Sequence, residues 1–301
     1  MHILSIDIGG SAIKYGILNT SGQILHKGSV INERTSLEVF MATLCSVVEV
    51  GMAKYPIKGI ALSVPAIMNS QTGMILSEGS MPFLVGVNLM DELQNKYAID
   101  VFSENDGNCA ALAEVWKGVA KDCNDIAVVV IGTGVGGALV KDKLIHPGTN
   151  FMAGEFGYFI NSFDFEAKAF EIWSDLGATY ALTDKLSKIK GQTLTGLDVF
   201  ELASNHDPVA IKEIDNFYNS NAVGMFNLQY FFDPEMIVLG GAISKRKDFV
   251  DQLESRLDTI FNKIEIAPKR PVIKVAEFGN DANLIGAVYN YLTQKGCKIY
   301  K

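Results

Sequence analysis

The chain has no surplus of positive charge: 26 Lys and Arg stand against 34 Asp and Glu over 301 residues, a formal net charge of −8. That balance argues against a nucleic-acid partner, which calls for a basic face. The basic residues are scattered and densest in SKRKDF (residues 244–249), which reads as a solvated helix start. Cysteine is scarce. The four, at 45, 109, 123 and 297, show no CxxC and no Cys/His spacing, so neither a structural zinc site nor a disulfide framework is expected. No apolar run approaches the roughly 20 residues of a membrane span. Met1 leads almost at once into ILSIDIGG, without the basic start and cleavable apolar segment of a secretory signal. A cytoplasmic protein with no membrane partner is expected. No Pro- or Ser-rich linker divides the chain, and with 48% hydrophobic residues it can bury a substantial core in two lobes.

What is present is a repeated strand–glycine–strand pattern. In HILSIDIGGSAIKYGILNTSGQILHKGSV (residues 2–30), an apolar run ends at Gly9 and Gly10, an alternating segment follows, TSG turns again, and a third strand returns. A dinucleotide-binding fold or a Walker loop would place a helix straight after the glycines. Here β-branched and aromatic residues follow, and both readings fall. DIAVVVIGTGVGGALVKDKLI (residues 125–145) is a second unit of the same kind, and FFDPEMIVLGGAIS (residues 231–244) again runs a buried strand into two glycines. Between them SLEVFMATLCSVVEVGMAKY reads as an amphipathic helix, IKGIALSVP and IDVFSEND as strands, residues 108–118 as a helix and NDANLIGAVYNYL as a closing helix. Duplicated halves of this kind imply two related α/β lobes facing a cleft. The boundary is placed at 117/118, with the closing helix near 283–301 packing back on the first lobe.

Three features carry chemistry. Glycine turns between strands expose amides to an anion, and glycine lets a phosphate approach without a Cβ in the way. Gly9, Gly10 and Ser11, with Lys14, form one candidate; Gly132, Thr133, Gly134 and Gly136 form a second; Gly240 and Gly241 form a third. The plain alternative for each is a tight hairpin. Asp7 interrupts an apolar strand just before the first glycines, and a buried carboxylate is costly unless paired. Its partner is a backbone amide, a lysine, or Mg²⁺ neutralising nucleotide phosphates. In SENDGNCAALAE (residues 103–114), Ser103 and Asp106 have capping-box spacing, while Asp106 at a helix terminus is also a candidate base.

The segments IDIGGSAIKYGIL, ENDGNCAALAE, IGTGVGGALV, AGEFGYF and IVLGGAIS, in this order, resemble the ROK family of bacterial sugar kinases and regulators over essentially the whole chain. The resemblance implies the two-lobed actin-like ATPase (ribonuclease H-like) fold, ATP with Mg²⁺, and phosphoryl transfer to a sugar hydroxyl across the interlobe cleft. It makes Asp106 the general base for the 6-hydroxyl, and Asn105 and Glu155 ligands of sugar hydroxyls. It also suggests a homodimer. Regulators of the family carry an extra N-terminal helix-turn-helix domain; a chain opening directly on the first phosphate-turn strand is expected to be a kinase.

The sequence departs from the family pattern in one region. The family's zinc-ligating histidine position holds Tyr158, and INSFDFEAKAFEIWSDLGATYAL lacks the CxCGxxGC cluster altogether, so a zinc-free protein is expected. Tyr158 either offers its hydroxyl to the sugar or packs in the core. The position of the family's glutamate near the anomeric carbon falls on Ser174, with Glu171 one turn earlier, and the choice between them stays open. Ser174 there would leave room for a substituted sugar. Gly79 and Ser80, beside Glu78 in SEGSMPFLVGVNL, are expected to line the sugar site. The expected acceptor is glucose or a β-glucoside, with N-acetylmannosamine as the alternative. A silent sugar sensor and an actin-like filament ATPase are the rival classes. Intact Asp7, Asp106 and both phosphate turns argue against the sensor, and a filament ATPase, which would keep the turns, has no reason to carry END and GEFG together.

Overall fold

The computed structural model describes residues 1–77 and 81–297. The first sheet grows from the apolar strand β1 (His2–Ile8). The chain turns back through β2 (Ala12–Asn19) and β3 (Ile24–Ile31), then crosses by α1 (Leu37–Lys54) to β4 (Ile57–Val64). A short hairpin, β5 (Met68–Asn69) and β6 (Met74–Ile75), and helix α2 (Leu89–Tyr97) lead to β7 (Asp100–Asn105) and α3 (Asp106–Trp116). The sheet order is β3-β2-β1-β4-β7, antiparallel between β1 and β2 and parallel from β1 to β4 to β7. Its core is built from alternating positions such as Ile6, Ile13, Ile60 and Leu62, with Phe40 and Leu44 from α1. Ser36 starts α1 by accepting from the Val39 amide at 3.3 Å, which satisfies one of the free amides of a helix start.

The same plan recurs downstream. Strands β8 (Ile126–Ile131) and β9 (Val135–Lys141) are antiparallel. After the short strand β10 (Leu144–Ile145) comes the hairpin β11 (Ile160–Asp164) and β12 (Ala169–Ile172), in the stretch that lacks cysteine. Helices α4 (Trp173–Gly177), α5 (Thr179–Lys190), α6 (Gly196–Ser204) and α7 (Pro208–Phe232) follow. Then come β13 (Met236–Gly240), α8 (Phe249–Lys263), β14 (Ile273–Val275) and α9 (Ala282–Gln294). In sheet order, β9, β8, β13 and β14 are neighbours, with β8, β13 and β14 parallel. Trp173 is fully buried here; its indole donates to Asn221 on α7 at 3.0 Å, and Gly224 leaves the space its ring fills.

The chain forms two compact units. Unit 1 comprises Met1–Asp122, Lys143–Met152 and the chain from Glu277 on; unit 2 comprises Cys123–Asp142 and Ala153–Ala276. Residues 118–122 and 143–152, expected in the second lobe, therefore belong with the first. Contacts distant in sequence account for the correction: Lys143 Nζ donates to the Lys121 carbonyl, and Tyr289 on α9 donates to the Lys143 carbonyl at 3.4 Å. The buried carboxyl of Glu114 on α3 accepts from the amides of Glu277 and Phe278 at 2.9 and 3.2 Å, fastening the returning chain. Helix α9 then packs on α3 so closely that a Cβ on Gly286 would lie 1.7 Å from the Cys109 carbonyl oxygen. No helix among the described residues is long and apolar enough to cross a membrane.

Candidate active site

In unit 1, β1 delivers Asp7 to the end of the sheet, where the residue is 6% exposed. One carboxylate oxygen accepts from Ser63 Oγ at 3.0 Å and from Asn283 Nδ2 at 2.9 Å; the other lies 4.0 Å from Lys14 Nζ. The carboxylate thus sits on neutral donors with one cation at the rim. Such a single oxygen donor fits Mg²⁺, which keeps most of its waters and takes one or two protein carboxylates together with phosphate oxygens. Gly9 does not offer its amide to a phosphate as expected: its N–H closes the turn on the Ala12 carbonyl at 3.0 Å, and a Cβ there would lie 2.9 Å from that same oxygen. Among the described residues no three His, Cys, Asp or Glu side chains converge as a metal-binding group.

At the end of β7, the expected Ser103 cap is replaced. Ser103 is buried within the strand, and Asn105 caps α3, its Oδ1 accepting from the Asn108 amide at 3.1 Å. The strand runs two residues further than the capping-box reading allowed, so Asp106 is the first helical residue. Its carboxylate accepts from the Gly107 amide at 2.8 Å and lies at the positive end of the helix dipole, which favours the ionised form. Asn105 Nδ2 donates to the Ala66 carbonyl at 3.2 Å. An amide has two hydrogens and two lone pairs, so these two bonds leave one of each for a ligand. Gly79 and Ser80 lie outside the described residues.

In unit 2, the turn between β8 and β9 is also closed by its first glycine: Gly132 N–H donates to the Gly134 carbonyl at 2.9 Å and is not free for an anion. A Cβ on Gly132 or Gly136 would meet nothing within 4 Å, so these glycines leave open space. Gly240 ends β13, and Gly241, at φ +91°, presses so near β8 that a Cβ would lie 2.1 Å from the Ile131 carbonyl oxygen. That turn carries the chain to a cavity of about 760 Å³, lined among others by Thr133, Thr179, Thr183, Phe200, Lys245 and Arg246. Its size suits a nucleotide, and Arg246 stacks its guanidinium 4.0 Å above the Phe200 ring. Lys245 and Arg246 come from the segment read as a solvated helix start. Their place at this cavity, with Thr179 and Thr183 beside the expected Thr133, is what sequence reasoning missed; these residues come from separate elements and carry no common spacing.

Glu155 follows Gly154, whose φ of +101° seats the turn against the backbone of β9. Burial pushes the Glu155 carboxyl above its ordinary range. Tyr158 is 67% exposed, which removes the core reading. Ser174 Oγ accepts from the Val135 amide at 3.0 Å, next to Gly134 and Gly157, so it lies beside the second glycine turn. Glu171 is exposed on β12 and lines a separate cavity of about 370 Å³ with Lys185 and Glu213. Of the two candidates, only Ser174 adjoins the expected site residues of unit 2.

The duplicated α/β plan is that of the actin-like ATPase fold. A Streptomyces griseus glucokinase solved with glucose and AMPPNP superposes with a TM-score of 0.75 at 20% identity, over 96% of this chain and 98% of that one. A ROK family protein from Streptococcus pneumoniae TIGR4, solved in complex with sucrose, is 32% identical with a TM-score of 0.89, over 98% of this chain and 99% of that one. The Listeria innocua β-glucoside kinase is 31% identical over 301 residues, 98% of this chain and 99% of that protein. The ROK family profile matches residues 3–294. The chain belongs to the ROK family.

Proposed function

We propose that this chain, a carbohydrate kinase, transfers the γ-phosphoryl group of ATP to the 6-hydroxyl of glucose or a β-glucoside, with Asp106 as general base. The observation that carries the reading is the Asp106 carboxylate at the first position of α3, beside the Asn105 cap. A general base must be ionised at working pH and placed to reach the proton it takes. In the reaction, the sugar O6–P bond forms, the bond from the γ-phosphorus to the bridging oxygen breaks, ADP leaves, and the hydroxyl proton passes to Asp106. In this reading Asn105 and Glu155 are ligands of sugar hydroxyls, and Tyr158, Gly79 and Ser80 are further candidate ligands of the acceptor. Thr133, with Gly134 and Gly136 of the same turn, faces the donor phosphates in this reading, and Lys245 and Arg246 the rest of the nucleotide; Thr133, Lys245 and Arg246 line the cavity of unit 2. Asp7 would hold Mg²⁺ through water, with Lys14 alongside; the ion, when bound, neutralises phosphate charge.

The substituted acceptor is supported by the names of similar proteins, a β-glucoside kinase and a protein solved with a disaccharide. Ser174, which lies beside the second glycine turn, agrees with it if that residue holds the position of the family's glutamate. The reading includes a zinc-free, homodimeric, cytoplasmic enzyme. An ADP-coupled assay over glucose, N-acetylmannosamine and a series of β-glucosides tests it, with sugar-independent turnover counting against it. Asp106→Asn should lower kcat by about a hundredfold or more while thermal unfolding stays near that of the parent. A zinc analysis returning one metal per chain would overturn the zinc-free expectation.

A further inference from the structure

We infer that Glu104 is a positioning residue, whose buried carboxyl fixes the Asn105–Asn108 cap, and through it Asp106, against the chain segment Ala66–Ser70. The inference rests on Asp106 being the base. Glu104 is 3% exposed on β7, and among the described residues no lysine, arginine or histidine pairs with it. Its Oε1 accepts from the Asn105 amide at 2.8 Å and from Asn108 Nδ2 at 2.9 Å. Ser70, in the turn of the β5–β6 hairpin, lines a cavity together with Glu104. Asn105 in turn donates to the Ala66 carbonyl at 3.2 Å and accepts from the Asn108 amide at 3.1 Å. One carboxyl therefore joins both residues that flank the Asp106–Gly107 step to the stretch leaving β4.

Burial without a cation pushes the Glu104 carboxyl upward. A buried carboxyl without a cation is costly unless its hydrogen bonds compensate, so what it does here lies in the bonds it makes. What the carboxyl supplies is one oxygen that accepts from two donors at once, the Asn105 amide and the Asn108 side chain. Removing it leaves the Asn105 amide and the Asn108 side-chain amide without their partner, and the cap free to shift. A base displaced by about an ångström costs up to a hundredfold in rate.

The test is steady-state kinetics of the full chain in the ADP-coupled assay, with ATP and the best β-glucoside of the panel. Glu104→Ala should lower kcat by about tenfold or more, within the range of such misplacement, with KM for ATP unchanged. Glu104→Gln keeps an acceptor oxygen toward the cap, so it should restore most of the rate. Asn108→Ala removes one bond to Glu104 but leaves the backbone cap, and should fall between the two. A folded Glu104→Ala protein with parental kcat, or a Glu104→Gln protein as slow as the alanine variant, overturns the inference. If Glu104→Ala does not fold, Asn108→Ala decides: reduced kcat at constant KM for ATP upholds it and parental kcat overturns it. Asp106→Asn in the same assay separates the premise, since turnover retained there removes the base reading whatever the Glu104 variants do.

Discussion

The two glycine turns occupy equivalent places in a duplicated topology and are chemically unlike. In unit 1, Asp7 on β1 stands opposite Lys14 on β2 and Ser63 on β4. In unit 2, the corresponding strand position is Val130, opposite Gly136 on β9 and Gly240 on β13. Each turn is closed by the amide of its first glycine. The first thus surrounds a charge with donors, while the second removes side chains and leaves open space beside a large cavity. One scaffold can therefore carry a charged turn in one unit and an open one in the other. The backbone supplies the bend in both, and the residues at the second pair of the ladder decide its chemistry.

Three substitutions or conditions probe that contrast. The largest effect is expected from Asp7→Asn, which keeps the shape and its bonds to neutral partners but removes the charge. kcat should fall by about a hundredfold, a fraction of what a metal's charge stabilisation contributes, with the drop steepest at low Mg²⁺ concentration. An unchanged Mg²⁺ dependence would break the assignment of charge to the first turn. Next is Gly136→Val. Valine suits a strand and its Cβ would meet no neighbour within 4 Å, so the melting temperature should hold. KM for ATP should nonetheless rise about tenfold, roughly 1.4 kcal/mol, if the open space is used by the donor. Parental KM would mean the space is idle. The smallest is a pH effect. Burial raises the Glu155 carboxyl, so it takes up its proton at higher pH than an ordinary glutamate. As pH falls from neutral, KM for the sugar should rise by a few fold, beginning above the normal carboxylate range, and Glu155→Gln should abolish that limb. The stability sign is the reverse: a raised folded-state pKa makes the group's contribution greatest below its unfolded value and lost as pH rises through the folded one. The parent should therefore lose stability relative to Glu155→Gln on going from acid to neutral pH.

Reading the sequence worked where one segment decides the outcome. The strand–turn–strand units around Gly9 and Gly132 are local, and both formed as expected. The start of α3 was misjudged because Ser103 and Asn105 both suit a cap. Only pairing of β7 with β4 out to Val64–Asn105 shows that Ser103 is still in the strand. Gly9 and Gly132 were read as anion donors because the sequence does not reveal that their amides turn inward to Ala12 and Gly134. Lys245 and Arg246 are exposed just ahead of α8, as a solvated helix start implies; that they also line a cavity was not legible because Phe200, the ring under Arg246, is distant in sequence.

Composition, the period-two apolar strands and the paired glycines were enough, by themselves, to establish an α/β chain with a duplicated plan and a carboxylate at a strand end, since those are short-range consequences of backbone sterics and burial. Tertiary structure alone decided the rest: that Glu114 draws the returning chain back onto α3, that Ser174 rather than Glu171 adjoins the second glycine turn, and that Glu104 holds the cap beside Asp106. Each of these depends on hydrogen bonds or packing made after strands and helices have met, and the residues concerned share no local pattern that would announce them.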